Sequence, residues 1–245
     1  MGERDGVRVL TLDRPPANAF DPQFVADLRR ALAGGAGARA LVFASANARL
    51  FSAGWDLPKL IALERNEMRD FLESYCDLIR ETFTLPVPVV AALPGHAIAG
   101  GLIFAASADE RLAAQGEGRF GLSEVALGVP LPACLLEIFR YVLGDRGMER
   151  LAATGENVTG ERALAMGLLD GIVPSADLLD RAVERAATLA KGAPAAHAAI
   201  KRRARGEALA RFDAARKDDP FLDFWFAPEA RERIRALVEK LSGKK

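Results

Sequence analysis

Val7-Arg8-Val9-Leu10-Thr11-Leu12 alternates apolar and polar side chains with a period of two, which predicts a strand. Asp21-Pro22 then supplies an N-cap and a first-turn proline for a helix through Ala33, with Gly34-Gly35 ending it. Apolar runs return at 40–45 and 87–93, and both read as strands. Between them, Leu60 to Phe83 carries apolar residues at helical spacing, and Leu85-Pro86-Val87-Pro88 stops that helix. Further helices are expected over Gly100 to Ala108, over Pro132 to Leu143 with Gly144 as its end, and from the capped start Thr159-Gly160-Glu161-Arg162. From Ser175 onward the pattern is helical, punctuated at Gly192-Ala193-Pro194, Gly206, Asp219-Pro220 and Pro228. Strands alternating with helices indicate an α/β fold.

Composition narrows the picture. A chain of 245 residues, 50% of them apolar, suffices for one sizeable core with an appended subdomain, divided here as 1–190 and 191–245. The 33 acidic residues cancel the 33 basic ones, which argues against a nucleic-acid or membrane-surface role driven by net charge. No apolar run approaches ~20 residues and Met1-Gly2-Glu3-Arg4-Asp5 opens no signal-peptide core, so a soluble, cytoplasmic protein is expected. Cys76 and Cys134, each in a helical stretch, read as reduced, buried thiols. With two cysteines and two histidines far apart, no metal site is expected.

Chemistry concentrates in two turns that each follow a strand: Leu50-Phe51-Ser52-Ala53-Gly54-Trp55-Asp56-Leu57 and Pro94-Gly95-His96-Ala97-Ile98-Ala99-Gly100-Gly101. Small residues expose backbone N–H groups, and Gly100-Gly101 also opens a helix, where unpaired N–H groups favour negative charge. Two such donors converging on one point make an oxyanion hole. Either turn alone is better explained as an ordinary strand-to-helix connection.

The pair, in this order, resembles the crotonase (enoyl-CoA hydratase/isomerase) superfamily. The likeness extends through Leu12-Asp13-Arg14-Pro15, Ala108-Asp109-Glu110-Arg111, Phe120-Gly121-Leu122-Ser123-Glu124-Val125-Ala126-Leu127-Gly128, Gly160-Glu161-Arg162-Ala163 and Gly167-Leu168-Leu169-Asp170-Gly171-Ile172-Val173, and so covers nearly the whole chain. It implies a crotonase (ClpP-like) ββα spiral with a C-terminal helical trimerisation subdomain, a homotrimer or hexamer, and an acyl-CoA thioester as substrate, with coenzyme A part of that substrate and no separate cofactor.

Carried over residue by residue, the resemblance makes the N–H groups of Trp55 and Gly100 the oxyanion donors and Glu124 the catalytic carboxyl. The apolar neighbours Val125-Ala126-Leu127 suit Glu124 to proton transfer, because partial desolvation raises a carboxyl pKa. Hydratases of the family carry a further glutamate three residues after the oxyanion glycine, and here that position is Ile103. A single carboxyl facing the hole suits a proton shift from C2 to C4 that turns a 3-enoyl-CoA into a 2-enoyl-CoA, the pattern of the one-glutamate Δ3,Δ2-enoyl-CoA isomerases. Hydration, another crotonase reaction such as thioester hydrolysis, and a non-catalytic acyl-CoA-binding subunit are the alternatives.

For the CoA ester the expected contacts are Arg14, Ala17, Ser52, Ala53, Asp56, Leu57, Gly101 and Ile103, with Lys59 as a second nearby cation. Asp56 also suits a turn held by accepted backbone N–H bonds. Glu137 is the reserve acid/base, and His96 and His197 read as structural. The cluster Phe221-Leu222-Asp223-Phe224-Trp225-Phe226 has two readings: contact with a neighbouring subunit, as the family implies, or a core among the last helices of one chain.

Overall fold

The computed structural model describes residues 2–4, 6–34 and 37–243. Gly35 of the expected helix stop, and Met1 and Asp5 of the N-terminal stretch, lie outside them. The strands, in chain order, are β1 (Gly2–Arg4), β2 (Val7–Leu12), β3 (Ala40–Ser45), β4 (Leu50–Ser52), β5 (Val89–Leu93), β6 (His96–Ile98), β7 (Glu110–Ala114), β8 (Arg119–Gly121), β9 (Asn157–Thr159) and β10 (Gly171–Val173). They form a six-stranded sheet, β1-β2-β3-β5-β7-β10, and a four-stranded sheet, β4-β6-β8-β9. Pairing is parallel except at the two margins where β1 meets β2 and β9 meets β8.

That order positions the site. Each of the pairs β3/β4, β5/β6 and β7/β8 lays one strand in each sheet before the chain turns into a helical segment, which winds the backbone into a spiral. Because β4, β6 and β8 are adjacent and parallel, the residues just past their C-terminal ends share one rim. Trp55, Gly100 and Glu124 each lie two or three positions past such an end.

The helices follow the expected starts more faithfully than the expected lengths. Helix α1 (Pro22–Ala33) opens on Asp21, whose side chain accepts the Phe24 N–H, and reaches Gly34. The single helix expected over 60–83 is two: α2 (Leu57–Leu60), capped by Asp56, and α3 (Arg65–Thr84). The cause is local, since the side chains of Glu64 and Glu67 form a reciprocal capping box that restarts the helix. Helix α4 (Gly100–Ala106) closes at Ser107, short of Ala108. Helix α5 (Ala133–Thr154) breaks at Gly144, with φ 70° and ψ 173°, but resumes beyond it, so the glycine kinks a helix that was expected to end there. Then come α6 (Gly160–Ala165), α7 (Leu178–Leu189), α8 (Pro194–Ala204), α9 (Gly206–Ala215), α10 (Phe221–Trp225) and α11 (Pro228–Ser242), with the proline and glycine punctuation at their boundaries. No helix among the described residues is long and apolar enough to cross a membrane.

Two hydrophobic clusters flank the large sheet. The smaller joins Val7, Val9, Val42 and Val90 to Ala182, Val183 and Ala186 of α7. The larger runs from Leu10 through Phe43 and Phe104 to Phe212, Phe221, Trp225 and Ile234, so the C-terminal helices share their packing with the spiral. Polar anchors add to it. Asp109 receives both Lys201 and Arg205, each bond 2.7 Å, which ties the end of α8 to the start of β7. Cys76 and Cys134 are free and buried, as expected, but α3 and α5 bring their sulfurs within 3.4 Å of each other. That contact and burial together push the Cys76 thiol well above its usual range.

Candidate active site at the rim of the small sheet

The first turn is built on Asn18, a residue that sequence reasoning passed over. Its side-chain amide donates to Ser45 Oγ and to the Phe51 carbonyl, each at 2.9 Å, and its own Oδ1 accepts the Arg14 N–H. Ser52 hangs beneath, its hydroxyl donating to the Asn18 carbonyl and accepting the Gly54 N–H. Ser52 is therefore wholly buried scaffold, whereas Ala53, bonded through its N–H to the Ala17 carbonyl, is exposed. Asn18 and Ser52 thus fix the turn from beneath.

The two turns abut at glycines. Gly54 has φ +93°, and a methyl there would lie 2.9 Å from the Ile98 carbonyl oxygen and 3.0 Å from the Gly100 nitrogen. A methyl on Gly101 would lie 2.5 Å from the Ser52 carbonyl oxygen. Ala99, between them, holds φ 49° and ψ −126°, a conformation that L residues rarely adopt and that strains the backbone where α4 begins. The Phe20 N–H donates to the Gly54 carbonyl and the Asp56 N–H to the Phe20 carbonyl, so the intervening Trp55 N–H is left out of that bridge. Among the described residues, the N–H groups of Trp55 and Gly100 donate to no other backbone carbonyl.

Glu124 opens a short 3₁₀ turn, Glu124–Leu127, that follows β8 and is closed by Gly128 in the left-handed region. The residue is half-buried as a whole, but its Oε2 is shielded from solvent and has no hydrogen-bond partner. Burial pushes its carboxyl up from 4.5 to about 7. Its charge is felt at Tyr75, a fully buried phenol on α3 whose hydroxyl donates to the Gly100 carbonyl. Burial, first of all, and then the nearby Cys76 and Glu124 hold that phenol well above its usual range, so it stays neutral. Tyr75 is tied to the second turn, and only its place in an apolar helical stripe marked it in the sequence.

The Trp55 ring stands edge-on to Phe71 at 5.1 Å, Tyr75 at 5.5 Å, Phe221 at 5.7 Å and Trp225 at 6.1 Å. Phe221 and Trp225 are buried to 1% exposure within this one chain, which decides their part of the aromatic tail in favour of an intrachain core. Helix α11 packs on the Glu124 turn and on α2, while α10 packs on α3. Phe224, by contrast, is 47% exposed.

The remaining candidates separate. Arg14 and Lys59 both pair with Asp21, which also caps α1, and Lys59 reaches Asp56 at 3.4 Å. Burial tends to raise the Asp21 pKa, but the Lys59 bond, the Phe24 N–H and Arg14 together hold it below the usual value. These cations thus carry internal partners. Asp56 accepts the Lys59 N–H and holds the turn. Leu57 is half-buried, and Ile103 on α4 is buried in the large cluster. Glu137, read as the reserve acid/base, is buried between Arg140 and Arg211 and ties α5 to α9. His96 accepts the Arg119 N–H at its Nδ1, and His197 lies on α8.

Paired strands winding through two sheets, with glycine turns and a buried carboxyl at one rim, define a crotonase spiral. The model of the family Enoyl-CoA hydratase/isomerase matches residues 2–242, and the chain belongs to that family. A probable enoyl-CoA hydratase of Bacillus subtilis is 31% identical over 242 residues, covering 96% of this chain and 93% of that protein. Among solved structures, the apo Mtb enoyl-CoA isomerase is 31% identical with a TM-score of 0.82, covering 87% of this chain and 93% of the other. Human mitochondrial delta3-delta2-enoyl-CoA isomerase superposes with a TM-score of 0.91 at 24% identity over 98% and 95% of the two chains, a likeness of fold.

Proposed function

We propose that this member of the family is an acyl-CoA isomerase that moves a double bond from the 3 to the 2 position of an enoyl-CoA. The thioester oxygen accepts the N–H groups of Trp55 and Gly100, which stabilises the enolate as it forms; one such donor is typically worth ~3–4 kcal/mol in the transition state. Glu124 takes a proton from C2 and returns it at C4. The observation that carries this reading is the isolation of the Glu124 carboxyl. Its Oε2 is shielded and without a partner, and burial pushes the carboxyl up to about 7, so near neutral pH it both accepts and releases a proton.

Ile103 favours isomerisation over hydration. It occupies the α4 position where the hydratase pattern needs a second carboxyl, and it is buried among apolar side chains that cannot hold an attacking water. The Mtb relative bears an isomerase name in one structure and a probable-hydratase name in another, and the Bacillus subtilis relative bears a hydratase name, so the names do not choose between the two reactions. Purified protein offered a 3-enoyl-CoA and a 2-enoyl-CoA separates the two. Conjugation of the first without hydration of the second is the expected result. Hydration of the 2-enoyl-CoA at a comparable rate would overturn the assignment, and saturable binding with neither reaction would leave a binding subunit. The protein is further proposed to act in the cytoplasm as a trimer or hexamer without a separate cofactor, a state that sedimentation velocity measures directly.

A further inference from the structure

We infer that the indole N–H of Trp55 is a third donor to the thioester oxygen, beside the two backbone amides. This rests on the oxyanion reading above and adds a side chain to it. The missing side chain of Gly100 is what brings the indole close. A methyl there would lie 2.7 Å from Trp55 Cδ1, 2.9 Å from Nε1 and 3.2 Å from the Tyr75 hydroxyl. The N–H edge of the indole therefore lies against the first residue of α4, in space that any larger residue would fill.

Nε1 is buried and has no hydrogen-bond partner. Tyr75 is the nearest polar candidate, and the indole does favour its ionised form, but the approach falls short of a well-formed hydrogen bond, and the phenol already donates to the Gly100 carbonyl. Leaving such a donor unsatisfied in the interior costs its desolvation without a compensating bond. The edge-on contacts with Phe71, Tyr75, Phe221 and Trp225 brace the ring against turning to find another acceptor. A substrate oxygen held by the amides of residues 55 and 100 would supply the missing acceptor. The orphaned donor thus belongs to the ligand-bound state, which explains why a large residue is compatible with a position whose family role needs only its backbone.

The test replaces Trp55 by 3-benzothienylalanine through an amber codon, which keeps the ring shape and the backbone amide but exchanges N–H for sulfur. Trp55→Phe serves as a second variant. The probe is cinnamoyl-CoA, whose absorbance shifts to the red and whose carbonyl Raman band falls as the thioester oxygen is polarised. With the wild-type protein both shifts are expected. With 3-benzothienylalanine the carbonyl shift should shrink by about half, and kcat on a 3-enoyl-CoA should fall about tenfold with little change in KM, because the lost bond strengthens in the transition state. Unchanged carbonyl position and kcat in both variants would overturn the third donor and leave the two amides intact. Absence of any carbonyl shift in wild-type protein with bound probe would overturn the oxyanion reading itself.

Discussion

Asp109 and Glu124 are both carboxyl groups drawn away from solvent, and they stand in opposite electrical surroundings. Asp109 lies between Lys201 and Arg205, with its remaining capacity filled by the Val89 N–H at 2.7 Å. Glu124 has a shielded oxygen with no partner. Around Asp109 the strain falls on the cation: burial brings Lys201 down to about 8, and its attraction to Asp109 limits the fall. Around Glu124 nothing of opposite sign offsets burial, and the carboxyl itself moves. Pairing converts a buried charge into a clamp, whereas isolation leaves it free to exchange a proton. Glu137, held by two arginines, falls on the clamp side.

Substitutions should break the two carboxyls in different ways. Glu124→Gln is expected to lower kcat for double-bond migration by ~10³-fold, within the usual range for a lost general base, while binding of a CoA ester is nearly unchanged. Stopped-flow conjugation and isothermal calorimetry read these separately, and wild-type turnover would remove Glu124 from the mechanism. Asp109→Ala should do the reverse. It strands Lys201 and Arg205 without their carboxylate, and breaking a buried pair of this kind typically costs ~3–5 kcal/mol, seen as a lower denaturation midpoint in urea.

Acidity sharpens the contrast. The folded protein holds the Glu124 proton up to about pH 7, whereas an ordinary carboxyl at 4.5, as in the unfolded chain, has already released it. The stability this group contributes is therefore full below pH 4.5 and is lost as the pH rises through 7. Melting curves should show Glu124→Gln gaining on wild type between pH 5 and pH 8, and an unchanging gap would mean the carboxyl is not buried in solution. Over the same range kcat should climb with pH and level off above about 7, since proton abstraction needs the carboxylate. The smallest effect is expected from Ile103→Glu. It should yield slow but detectable hydration of a 2-enoyl-CoA at some loss of stability, and a crystal structure with that carboxyl turned away from residues 55, 100 and 124 would count against the placement of α4.

The Glu124 side of this contrast was legible in the sequence, whereas the Asp109 clamp was not. The glycine turns, Glu124 and the absent carboxyl at 103 follow from motif order, because each of them depends on a few residues close together in the chain. The capped starts at Asp21 and Thr159 and the proline break at Pro194 were legible for the same reason. What escaped is long-range. Asn18 matters through contacts 27 and 33 residues away. Tyr75 looked like one more apolar stripe residue until the fold set its hydroxyl on Gly100. The pairing of Arg14 and Lys59 with one aspartate, and the meeting of Cys76 with Cys134, depend on which helices become neighbours. The break at residues 61–64 was missed because helical spacing continues across it while two glutamates locally restart the helix.

The larger hydrophobic cluster joins β2 near the N-terminus to Ile234 in the last helix. Spiral and tail should therefore give way together, in a single calorimetric peak whose van't Hoff and measured enthalpies agree. Fraying of α11 would leave Ile234 and Ala230 without their neighbours and loosen the packing around the Glu124 turn, so the end of the chain helps set how long that turn survives on heating.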